Sequence, residues 1–522
     1  MMRLHDFLDY WAHQRPRADF AADARRRLCY AEARALADRL ANALVAVGLR
    51  VGDRAAVLSL NSIEYVVLYF AASKAGVALV PLNYRLTPAD WSYMVRDAGA
   101  RVLFASAEYA RALEPVRREM DSVERFVLLD EGEVPGWEPL AALEHDQPAS
   151  PPRRYVPPEA DAYQMYTSGT TGPPKGAVLS QAAVSANMVQ AATAFDFRIG
   201  ERCLAVLPMF HAGIVPTVLA PVSRGCSLLV MERFDAARVV EALSEGGVNV
   251  TTLVPSMIQM CLNDVPDVER RDYSSLRLVH YGASPIAETT LRRALTVFRC
   301  DFLQSYGLTE ATQALTYLTP EDHRLGLEER PRLLLSAGRP ALGTEVMVVV
   351  DDGHPLPPGQ PGEVVARGPQ LMRGYWQRPD ETREALRDGW LHTGDIGTLD
   401  EDGYLYVLDR KKDVIVSGGE NVYPRTVEEV LLQHPAVADA AVIGVPDERW
   451  GEAVKAIVVL RAGMTVSERE LLDFCRERQA GFQRPRSVDF VEALPRNPSG
   501  KVLKRVLREP YWAGHWRRVA GA

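Results

Sequence analysis

A run of hydroxyl groups and glycines at residues 166–176 is the part of this chain best suited to bind phosphate. It reads Tyr-Thr-Ser-Gly-Thr-Thr-Gly-Pro-Pro-Lys-Gly. Glycines let the backbone approach an anion, so N–H groups and hydroxyls can surround phosphate oxygens while a lysine adds positive charge. The predicted phosphate ligands are Thr167, Ser168, Gly169, Thr170, Thr171, Gly172 and Lys175. An ordinary polar turn is the alternative, and the Gly-Lys-Ser/Thr ending of a Walker A loop is absent.

Further short motifs follow downstream, and each offers groups that nucleotide chemistry needs. They are Gly282-Ala283-Ser284, Tyr306-Gly307 with Thr309-Glu310, Asp395 with Arg410, Gly418-Gly419, and Lys501. An aromatic ring can stack on a base, a carboxylate is a hard ligand for Mg²⁺, and an ammonium can stabilise developing phosphate charge. Each motif alone has a structural alternative: a βα turn, a helix N-cap at Thr309, a tight turn, a hairpin, or a solvated lysine.

Taken in this order, the motifs resemble those of the acyl-adenylate-forming superfamily, which includes acyl-CoA synthetases, luciferases and the adenylation domains of peptide synthetases. The resemblance covers essentially the whole chain. It implies ATP, Mg²⁺ and coenzyme A (CoA) as cofactors or co-substrates and a carboxylic acid as substrate. The acid would be activated as acyl-AMP with release of pyrophosphate, and the acyl group would then be transferred to CoA.

The resemblance also implies a role for each motif. Tyr306 would face the adenine, Thr309 would bond the α-phosphate, Glu310 would bind Mg²⁺, and Asp395 and Arg410 would hold the ribose and phosphates. Gly282, Ala283, Ser284 and Gly307 are further predicted cofactor-binding residues, and the turn at 282–286 is also predicted to border the acyl pocket. Gly418 and Gly419 would line the CoA channel. The predicted catalytic residues are Lys501, Thr167, Glu310 and His211.

The segment that follows Leu207 bears on the substrate. No acidic residue lies between Leu207 and Arg224, so an amino acid's ammonium would be unpaired there, and amino-acid activation is set aside. The predicted acyl pocket contains Val215, Val218, Leu219, Met257 and Met260. Its apolar side chains suit an alkyl or aryl tail, and the overall pattern resembles that of bacterial medium- or long-chain fatty-acyl-CoA synthetases. An aryl acid, a carrier-protein acceptor and a non-catalytic nucleotide-binding protein are the alternatives. His211 is predicted to shape or gate this pocket, with a packed, partly buried histidine as the alternative.

Composition narrows the class of protein. The chain has 522 residues, a formal charge of −8 and six scattered cysteines, which predicts at least two domains, no nucleic-acid partner and a cytoplasmic protein with reduced thiols. The apolar run at residues 65–73 is too short to span a bilayer. The basic, tryptophan-containing C-terminal tail suggests either weak contact with an anionic membrane surface or a helix end packed on its own domain. A homodimer is left open.

Strands that alternate with helices over most of the chain predict the α/β fold class. We expect two similar α/β subdomains and a small β-barrel-like part within residues 1–409, followed by a small α+β domain at 410–522. The resemblance implies that this last domain is mobile and that Asp409 is its hinge. Predicted strands before the phosphate loop cover residues 54–60, 77–80 and 102–105, and those after it 202–207, 227–230, 250–254, 276–281 and 302–304. Residues 134–160 are predicted to be a connector.

Overall fold

The computed structural model describes residues 2–167, 173–284, 286–496 and 502–513. The chain divides into two compact units. The first contains residues 1–285, 290–346 and 366–391, and the second contains residues 286–289, 347–365 and 392–522.

The α-helices are, in chain order, α1 Leu4–Gln14, α2 Tyr30–Ala46, α3 Ile63–Ala75, α4 Pro88–Ala98, α5 Ala107–Leu113, α6 Leu140–Glu144, α7 Gln181–Phe195, α8 Ala220–Ser223, α9 Ala236–Ser244, α10 Pro255–Asp264, α11 Glu288–Phe298, α12 Pro320–Glu328, α13 Pro379–Ala385, α14 Pro424–Leu431, α15 Glu468–Arg476 and α16 Lys504–Trp512.

The strands are β1 Asp19–Ala22, β2 Arg27–Cys29, β3 Arg54–Leu58, β4 Ala78–Pro81, β5 Val102–Ala105, β6 Arg125–Leu128, β7 Glu138–Pro139, β8 Asp161–Thr167, β9 Lys175–Ser180, β10 Arg202–Ala205, β11 Ser227–Val230, β12 Val250–Thr252, β13 Leu278–Gly282, β14 Asp301–Tyr306, β15 Thr316–Leu318, β16 Arg339–Pro340, β17 Glu345–Val349, β18 Gly362–Arg367, β19 Gly374–Tyr375, β20 Leu386–Arg387, β21 Trp390–Leu399, β22 Leu405–Arg410, β23 Ile415–Ser417, β24 Glu420–Val422, β25 Val437–Asp447, β26 Gly451–Leu460 and β27 Ser487–Phe490.

Two mixed sheets form the frame of the first unit. One has the order β19-β9-β8-β4-β3-β5-β6-β7, and the other has the order β16-β15-β14-β13-β12-β10-β11-β1-β2. Pairing is parallel from β8 through β4, β3, β5 and β6 to β7, and from β14 through β13, β12, β10 and β11 to β1. The carboxyl ends of neighbouring parallel strands meet at one sheet edge, where α/β proteins bind ligands.

Helix α3 illustrates how the first unit is packed. All its residues are buried except Glu64, which is half-buried, as expected of a helix that is apolar on every side. The Ser62 side chain caps its start by accepting a hydrogen bond from the Tyr65 N–H, and Gly76 ends it with φ +72°. The apolar run noted in the sequence is therefore a core helix. Within the described residues, no helix combines the length and apolar character needed to cross a membrane.

The second unit is richer in antiparallel pairing. Strands β17, β18 and β21 are neighbours in that order, and β22 pairs antiparallel with β21. A second sheet has the order β24-β23-β26-β25, with β27 parallel to β26. Helices α14, α15 and α16 belong to this unit. The second unit thus combines antiparallel strands with helices, and the predicted domain bounds 1–409 and 410–522 stay a prediction.

The α/β fold class is confirmed, and most predicted strands are present with shifted ends. The predicted strand at 202–207 stops at Ala205, because the carbonyl of Leu207 accepts from the Asn61 side chain rather than from a strand. Two features were missed. The β1–β2 hairpin follows α1, where residues 1–20 were expected to form a short amphipathic helix and then a turn at 15–17. β7 and α6 lie in the predicted connector.

Candidate nucleotide-binding site

The two flanks of the phosphate-loop sequence form an antiparallel hairpin. β8 ends at Thr167, β9 begins at Lys175, and these two residues are paired in register. The Thr167 hydroxyl donates to the Lys175 carbonyl at 3.4 Å. The hairpin therefore sets the distance between the two ends of the loop. Ser168, Gly169, Thr170, Thr171 and Gly172 lie outside the described residues, so their phosphate contacts stay a prediction.

Lys175 is held by weak contacts. Its Nζ lies 3.8 Å from Glu381 Oε1 and 5.5 Å from the ring centroid of Tyr375. A half-exposed ion pair of this length contributes little to stability, so an incoming phosphate can compete for the ammonium. The next residue must be glycine, because a Cβ at Gly176 would lie 2.5 Å from Gln164 Nε2.

The predicted adenine and metal residues follow the end of β14. Tyr306 is the last residue of that strand, and Thr309 and Glu310 lie in a 3₁₀ turn at Thr309–Ala311. The N-cap of this turn is Leu308, which makes no side-chain cap, so the N-cap interpretation of Thr309 is wrong. Gly307 leaves no room for a side chain, because a Cβ would lie 1.9 Å from the carbonyl oxygen of Gln313.

The Glu310 carboxylate has a partner that sequence analysis did not identify. The Tyr375 hydroxyl donates to Glu310 Oε1 at 2.8 Å, and the Met372 N–H donates to the Glu310 carbonyl at 2.8 Å. Thr312, two residues further on, donates from Oγ1 to the carbonyl of Gln370 at 2.6 Å. Segment 370–376 therefore holds the turn that carries Glu310.

The same segment also pairs with the strand that follows the phosphate loop. Tyr375 lies opposite Ala177 in the β19–β9 pairing, and the Trp376 N–H donates to the Gly176 carbonyl at 2.8 Å. Segment 370–376 thus connects Glu310 with Lys175. The aromatic pair Tyr375-Trp376 is the sequence feature that could have indicated this segment. Nothing in the neighbouring sequence showed that it would contact both Glu310 and β9.

The turn 282–284 and Tyr306 follow neighbouring strands. β13 and β14 are parallel neighbours, with Gly282 opposite Ser305, so both motifs emerge at the same sheet edge. A Cβ on Gly282 would lie 2.8 Å from the Ser305 carbonyl oxygen. Ala283 has φ +66°, a conformation that costs an L-residue about 1 kcal/mol or more and is often found at ligand sites.

The buried side chain of His280, on β13, forms a hydrogen bond close to this sheet edge. His280 Nε2 lies 2.8 Å from Ser305 Oγ, which also accepts from Gln313 Nε2 at 2.8 Å. Burial lowers the pKa of His280 to about 3, so its ring is neutral at physiological pH. A neutral imidazole in this position is a structural hydrogen-bonding partner.

The residues present fit a Mg²⁺ ion that arrives with ATP. Mg²⁺ usually takes one or two protein carboxylates and completes its shell with phosphate oxygens and water. The Glu310 carboxylate would be the protein ligand in such a shell, and the Tyr375 hydroxyl orients it. Among the described residues, no group of three or more His, Cys, Asp or Glu side chains forms a self-sufficient metal site.

The predicted acyl segment is largely buried. Val215, Val218 and Leu219 lie in a buried π-helical turn at Val215–Leu219, and Met257 is buried on α10. Met260 is 38% exposed, because the inner face of α10 contains Met257 and Ile258, so the prediction that Met260 lines an apolar pocket is not supported.

The start of this segment is held by side chains from α3 and from the loop that precedes it. Asn61 accepts from the Met209 N–H at 2.9 Å, and the Tyr69 hydroxyl donates to the Met209 carbonyl at 2.8 Å. His211 is half-buried and next to this anchored point; its Nδ1 lies 3.4 Å from the Gly213 N–H. The placement is that of a packed side chain on the acyl segment, and a gating role stays a prediction.

In the second unit, Asp395 and Arg410 form the predicted pair. They are opposite each other in the β21–β22 pairing, and Arg410 Nε lies 2.8 Å from Asp395 Oδ1. Asp395 is buried, and its N–H donates to Thr393 Oγ1 at 3.1 Å. A carboxylate has several acceptor sites, so Asp395 can bond Arg410 and still accept hydrogen bonds from ribose hydroxyls.

The paired glycines form the turn between β23 and β24. Gly418 has φ +62° and Gly419 has φ +86°, which are the conformations that tight hairpins need. A Cβ on Gly418 would lie 2.7 Å from the Trp450 ring, whereas nothing lies within 4 Å of a Cβ on Gly419. The two glycines therefore form the hairpin turn that was the structural alternative. Their predicted place in a CoA channel stays a prediction.

The predicted hinge residue is buried in the second unit. Asp409 accepts from the N–H groups of Arg410 at 2.7 Å and Arg425 at 2.9 Å, and Lys504 Nζ lies 3.6 Å away. Burial raises the pKa of Asp409. Lys501 lies outside the described residues, so its catalytic role stays a prediction, as does the division of the chain at residue 409.

Known proteins share this sequence and fold. Residues 8–376 match the family described as AMP-binding enzyme, and residues 426–501 match the AMP-binding enzyme C-terminal domain. A fatty acid–[acyl-carrier-protein] ligase of Streptomyces coeruleorubidus is 40% identical over 95% of this chain and 93% of its own. The long-chain-fatty-acid–CoA ligase FadD13 of Mycobacterium tuberculosis is 38% identical over 93% of this chain and 94% of its own.

A solved structure shows the similarity in three dimensions. The o-succinylbenzoate CoA synthetase of Bacillus subtilis, in complex with its acyl-adenylate intermediate, superposes with a TM-score of 0.84 at 31% identity, covering 96% of this chain and 97% of that one. The family match spans more than half of the chain and includes the hairpin, the turn at Glu310 and segment 370–376. The chain therefore belongs to the AMP-binding enzyme family, among the ligases that act on acyl or aryl acids with CoA or an acyl carrier protein.

Proposed function

We propose that this chain is an acyl-CoA synthetase that activates a medium- or long-chain fatty acid as acyl-AMP and transfers the acyl group to CoA. The observation that carries the proposal is the link, within the first unit, between the phosphate-loop hairpin and the Glu310 turn through segment 370–376. Segment 370–376 therefore contacts both the hairpin that flanks the predicted phosphate loop and the carboxylate that would bind Mg²⁺.

In the first half-reaction, an oxygen of the fatty-acid carboxylate attacks the α-phosphorus of ATP, and the bond to pyrophosphate breaks. Thr167 and Lys175 hold the departing phosphates, Thr309 bonds the α-phosphate, and Lys501 stabilises the charge that develops there. Mg²⁺, when bound by Glu310, neutralises phosphate charge. Tyr306 and the 282–284 turn position the adenine, and Asp395 with Arg410 holds the ribose.

In the second half-reaction, the CoA sulfur attacks the acyl carbonyl of acyl-AMP, and AMP leaves as the thioester forms. The thiol releases its proton to solvent, and AMP keeps the electron pair of the broken bond between the acyl carbon and the phosphate oxygen. We assign the Gly418-Gly419 turn to the passage of the CoA arm, and Asp409 to a hinge about which residues 410–522 rotate between the two steps.

Two alternatives have specific support. The Streptomyces coeruleorubidus relative, by its name, transfers to an acyl carrier protein, so a carrier protein is an alternative acceptor. The Bacillus subtilis structure, by its name, is a CoA synthetase for o-succinylbenzoate, so an aryl acid is an alternative substrate. The buried aliphatic residues at 215–219 favour an alkyl tail.

A two-stage assay tests the proposal. Octanoate, dodecanoate, palmitate, benzoate and phenylacetate are supplied separately with ATP and Mg²⁺, and pyrophosphate release is measured. CoA and a phosphopantetheine-bearing carrier protein are then compared as acceptors. We expect the alkyl acids and CoA to give the highest kcat/KM; no pyrophosphate with any acid would refute the proposal.

Location and contacts are also proposed. A cytoplasmic location is proposed, because six scattered cysteines without a C-x-x-C pair suit reduced thiols. Trp512 Nε1 donates to the Gly444 carbonyl at 3.0 Å, so the first tryptophan of the basic tail packs on the second unit, which favours the packed-helix interpretation over membrane contact. Residues 514–522 lie outside the described part of the chain.

A further inference from the structure

The carboxylate of Asp97, at the end of α4, accepts hydrogen bonds from residues far away in the sequence. Oδ2 accepts from the Tyr166 hydroxyl at 2.7 Å, and Oδ1 accepts from the Arg378 guanidinium at 2.9 Å. The side chain is 11% exposed. Both partners are donors, so a carboxylate, which only accepts, satisfies them together.

The first of these contacts fixes the entrance to the phosphate loop. Tyr166 immediately precedes Thr167 and is paired with Gly176 across the hairpin. Its hydroxyl also lies 3.2 Å from the Met94 carbonyl and accepts from Gln164 Nε2 at 3.1 Å. Burial, followed by the nearby Asp97, raises the pKa of Tyr166, so the hydroxyl stays protonated and donates.

The second contact reaches the exit of the loop. Arg378 also donates to the Tyr93 hydroxyl at 3.3 Å, and that hydroxyl donates to the Pro174 carbonyl at 3.3 Å. Pro174 immediately precedes Lys175. Asp97 therefore reaches both ends of the loop: through Tyr166 directly, and through Arg378 and Tyr93.

The backbone of Asp97 adds a third connection. Its carbonyl accepts from Trp376 Nε1 at 2.9 Å, and Trp376 belongs to the segment that positions Glu310. The Arg54 guanidinium carbon lies 3.4 Å from the centroid of the Trp376 ring and so packs on its face. Asp97 thus contacts Tyr166 at the start of the loop and Trp376 in the segment that holds the Glu310 turn. It also contacts Arg378, which connects through Tyr93 to Pro174 at the end of the loop.

An ion pair that only stabilises the fold is the simpler explanation. Arg378 and Asp97 side chains are 29% and 11% exposed, and a pair of that kind contributes on the order of 1 kcal/mol. An ion pair with only that role would not need hydrogen bonds that lead to residues on both sides of one loop. The convergence on residues 166 and 174 indicates a local function.

We propose that Asp97 is a positioning residue for the phosphate loop, which holds its two ends so that the loop is presented to the β- and γ-phosphates of ATP. The inference rests on the proposed function. Displacing bound groups by about 1 Å can lower an enzymatic rate by about 100-fold, so the effect of losing this anchor should be measurable.

The two half-reactions provide the discriminating readout. ATP and pyrophosphate carry the phosphates that the loop would hold, whereas acyl-AMP carries only the α-phosphate. A positioning defect should therefore affect adenylation and spare thioester formation from pre-made acyl-AMP. A general loss of folded protein would reduce both half-reactions equally.

The experiment compares Asp97→Asn and Tyr166→Phe with matched controls in the full chain. In Asp97→Asn, an amide N–H₂ must face one of two donors. Glu201→Gln alters a carboxylate that is 10% exposed and also paired with an arginine, Arg277 at 2.7 Å. Tyr273→Phe removes a buried hydroxyl that donates to the Val268 carbonyl at 2.9 Å.

For Asp97→Asn we expect kcat/KM for ATP in pyrophosphate exchange to fall about 10- to 100-fold, with thioester formation from acyl-AMP within about twofold of wild type. Tyr166→Phe should give the same split with a smaller loss, about 3- to 10-fold, which tests the inference even if Asp97→Asn misfolds. The controls should leave both half-reactions near wild type.

Equal losses in both half-reactions, or an unchanged kcat/KM for ATP in both variants, would overturn the inference. Calorimetric affinities for ATP and for AMP distinguish failure of this inference from failure of the proposed function. If the wild-type protein exchanges no pyrophosphate with any acid, the proposed function fails. Weaker binding of ATP, but not of AMP, by Asp97→Asn would still support the positioning role.

Discussion

At the scale of single residues, the chemistry of a motif depends on partners that the motif does not contain. The type of Glu310 already suggested a Mg²⁺ ligand, but its orientation comes from Tyr375, 65 residues away in the sequence. A hydrogen bond to a charged group contributes about 1.5–3 kcal/mol, enough to restrict a carboxylate to one rotamer.

Tyr375→Phe tests that orientation. The phenyl ring keeps its place beside Lys175 and its strand pairing, and only the hydroxyl that contacts Glu310 is lost. We expect the Mg²⁺ concentration for half-maximal adenylation to rise about three- to tenfold, and calorimetric affinity for ATP to fall when Mg²⁺ is present but not in its absence. Tyr273→Phe is the control; an identical Mg²⁺ dependence in both variants would contradict the assignment.

Lys501→Ala tests the predicted catalytic residue that lies outside the described part of the chain. Because the ammonium would stabilise charge only while the α-phosphate is attacked, we expect pyrophosphate exchange to fall by about 100-fold or more, with thioester formation from acyl-AMP nearly unchanged. Both half-reactions are measured on the same preparation. Loss of equal size in each would remove Lys501 from the adenylation step.

At the scale of elements, the β23–β24 hairpin separates two glycines that look equivalent in the sequence. Gly418 faces Trp450, so its lack of a side chain is required by packing. Gly419 also has positive φ, yet a side chain there would meet open space. Positive φ favours glycine at both positions, and only Gly419 has open space into which a side chain can be introduced to test the proposed channel.

Gly419→Leu provides the test of the CoA channel. Gly463→Leu is a matched control, because Gly463 in the same unit has φ +76° and nothing within 4 Å of its Cβ. Both changes carry the same backbone strain. We expect Gly419→Leu to slow thioester formation by about tenfold more than adenylation, whereas Gly463→Leu should affect neither step selectively. Normal thioester synthesis by Gly419→Leu would argue against the channel.

At the scale of the whole molecule, three buried histidines tie stability to pH. Burial lowers the pKa of His5 to about 4, of His280 to about 3 and of His323 to about 4. In the unfolded chain each takes up a proton near pH 6.5. Between pH 6.5 and about 4 the unfolded state therefore binds more protons, so the free energy of unfolding decreases as the pH falls.

Thermal unfolding at pH 7 and pH 5 measures this dependence. Each such histidine contributes about 1.4 kcal/mol per pH unit within that window, so the midpoint temperature should be clearly lower at pH 5. His280→Asn removes one of the three groups and should make the decrease smaller, although the variant starts from a lower stability at pH 7. An unchanged pH dependence in His280→Asn would show that His280 is protonated in the folded protein.

Much of the fold could be predicted because it is encoded locally. The cap at Ser62, the glycine at Gly76 and the apolar run between them determine α3 without reference to any other part of the chain. The β1–β2 hairpin could not be placed in this way, since β1 pairs with β11, some 200 residues later, and strand order is decided by the packing of whole sheets.

By itself, the sequence determined the class of chemistry, because a nucleotide requires particular donors, glycines and carboxylates in stretches short enough to recognise. The tertiary structure decided how those stretches are supported. Asp97 meets Arg378 across 281 residues, and Tyr375 meets Glu310 only because β19 pairs with β9. Such contacts have no local signature, since residues distant in the chain become neighbours only when the sheets and helices that carry them pack together.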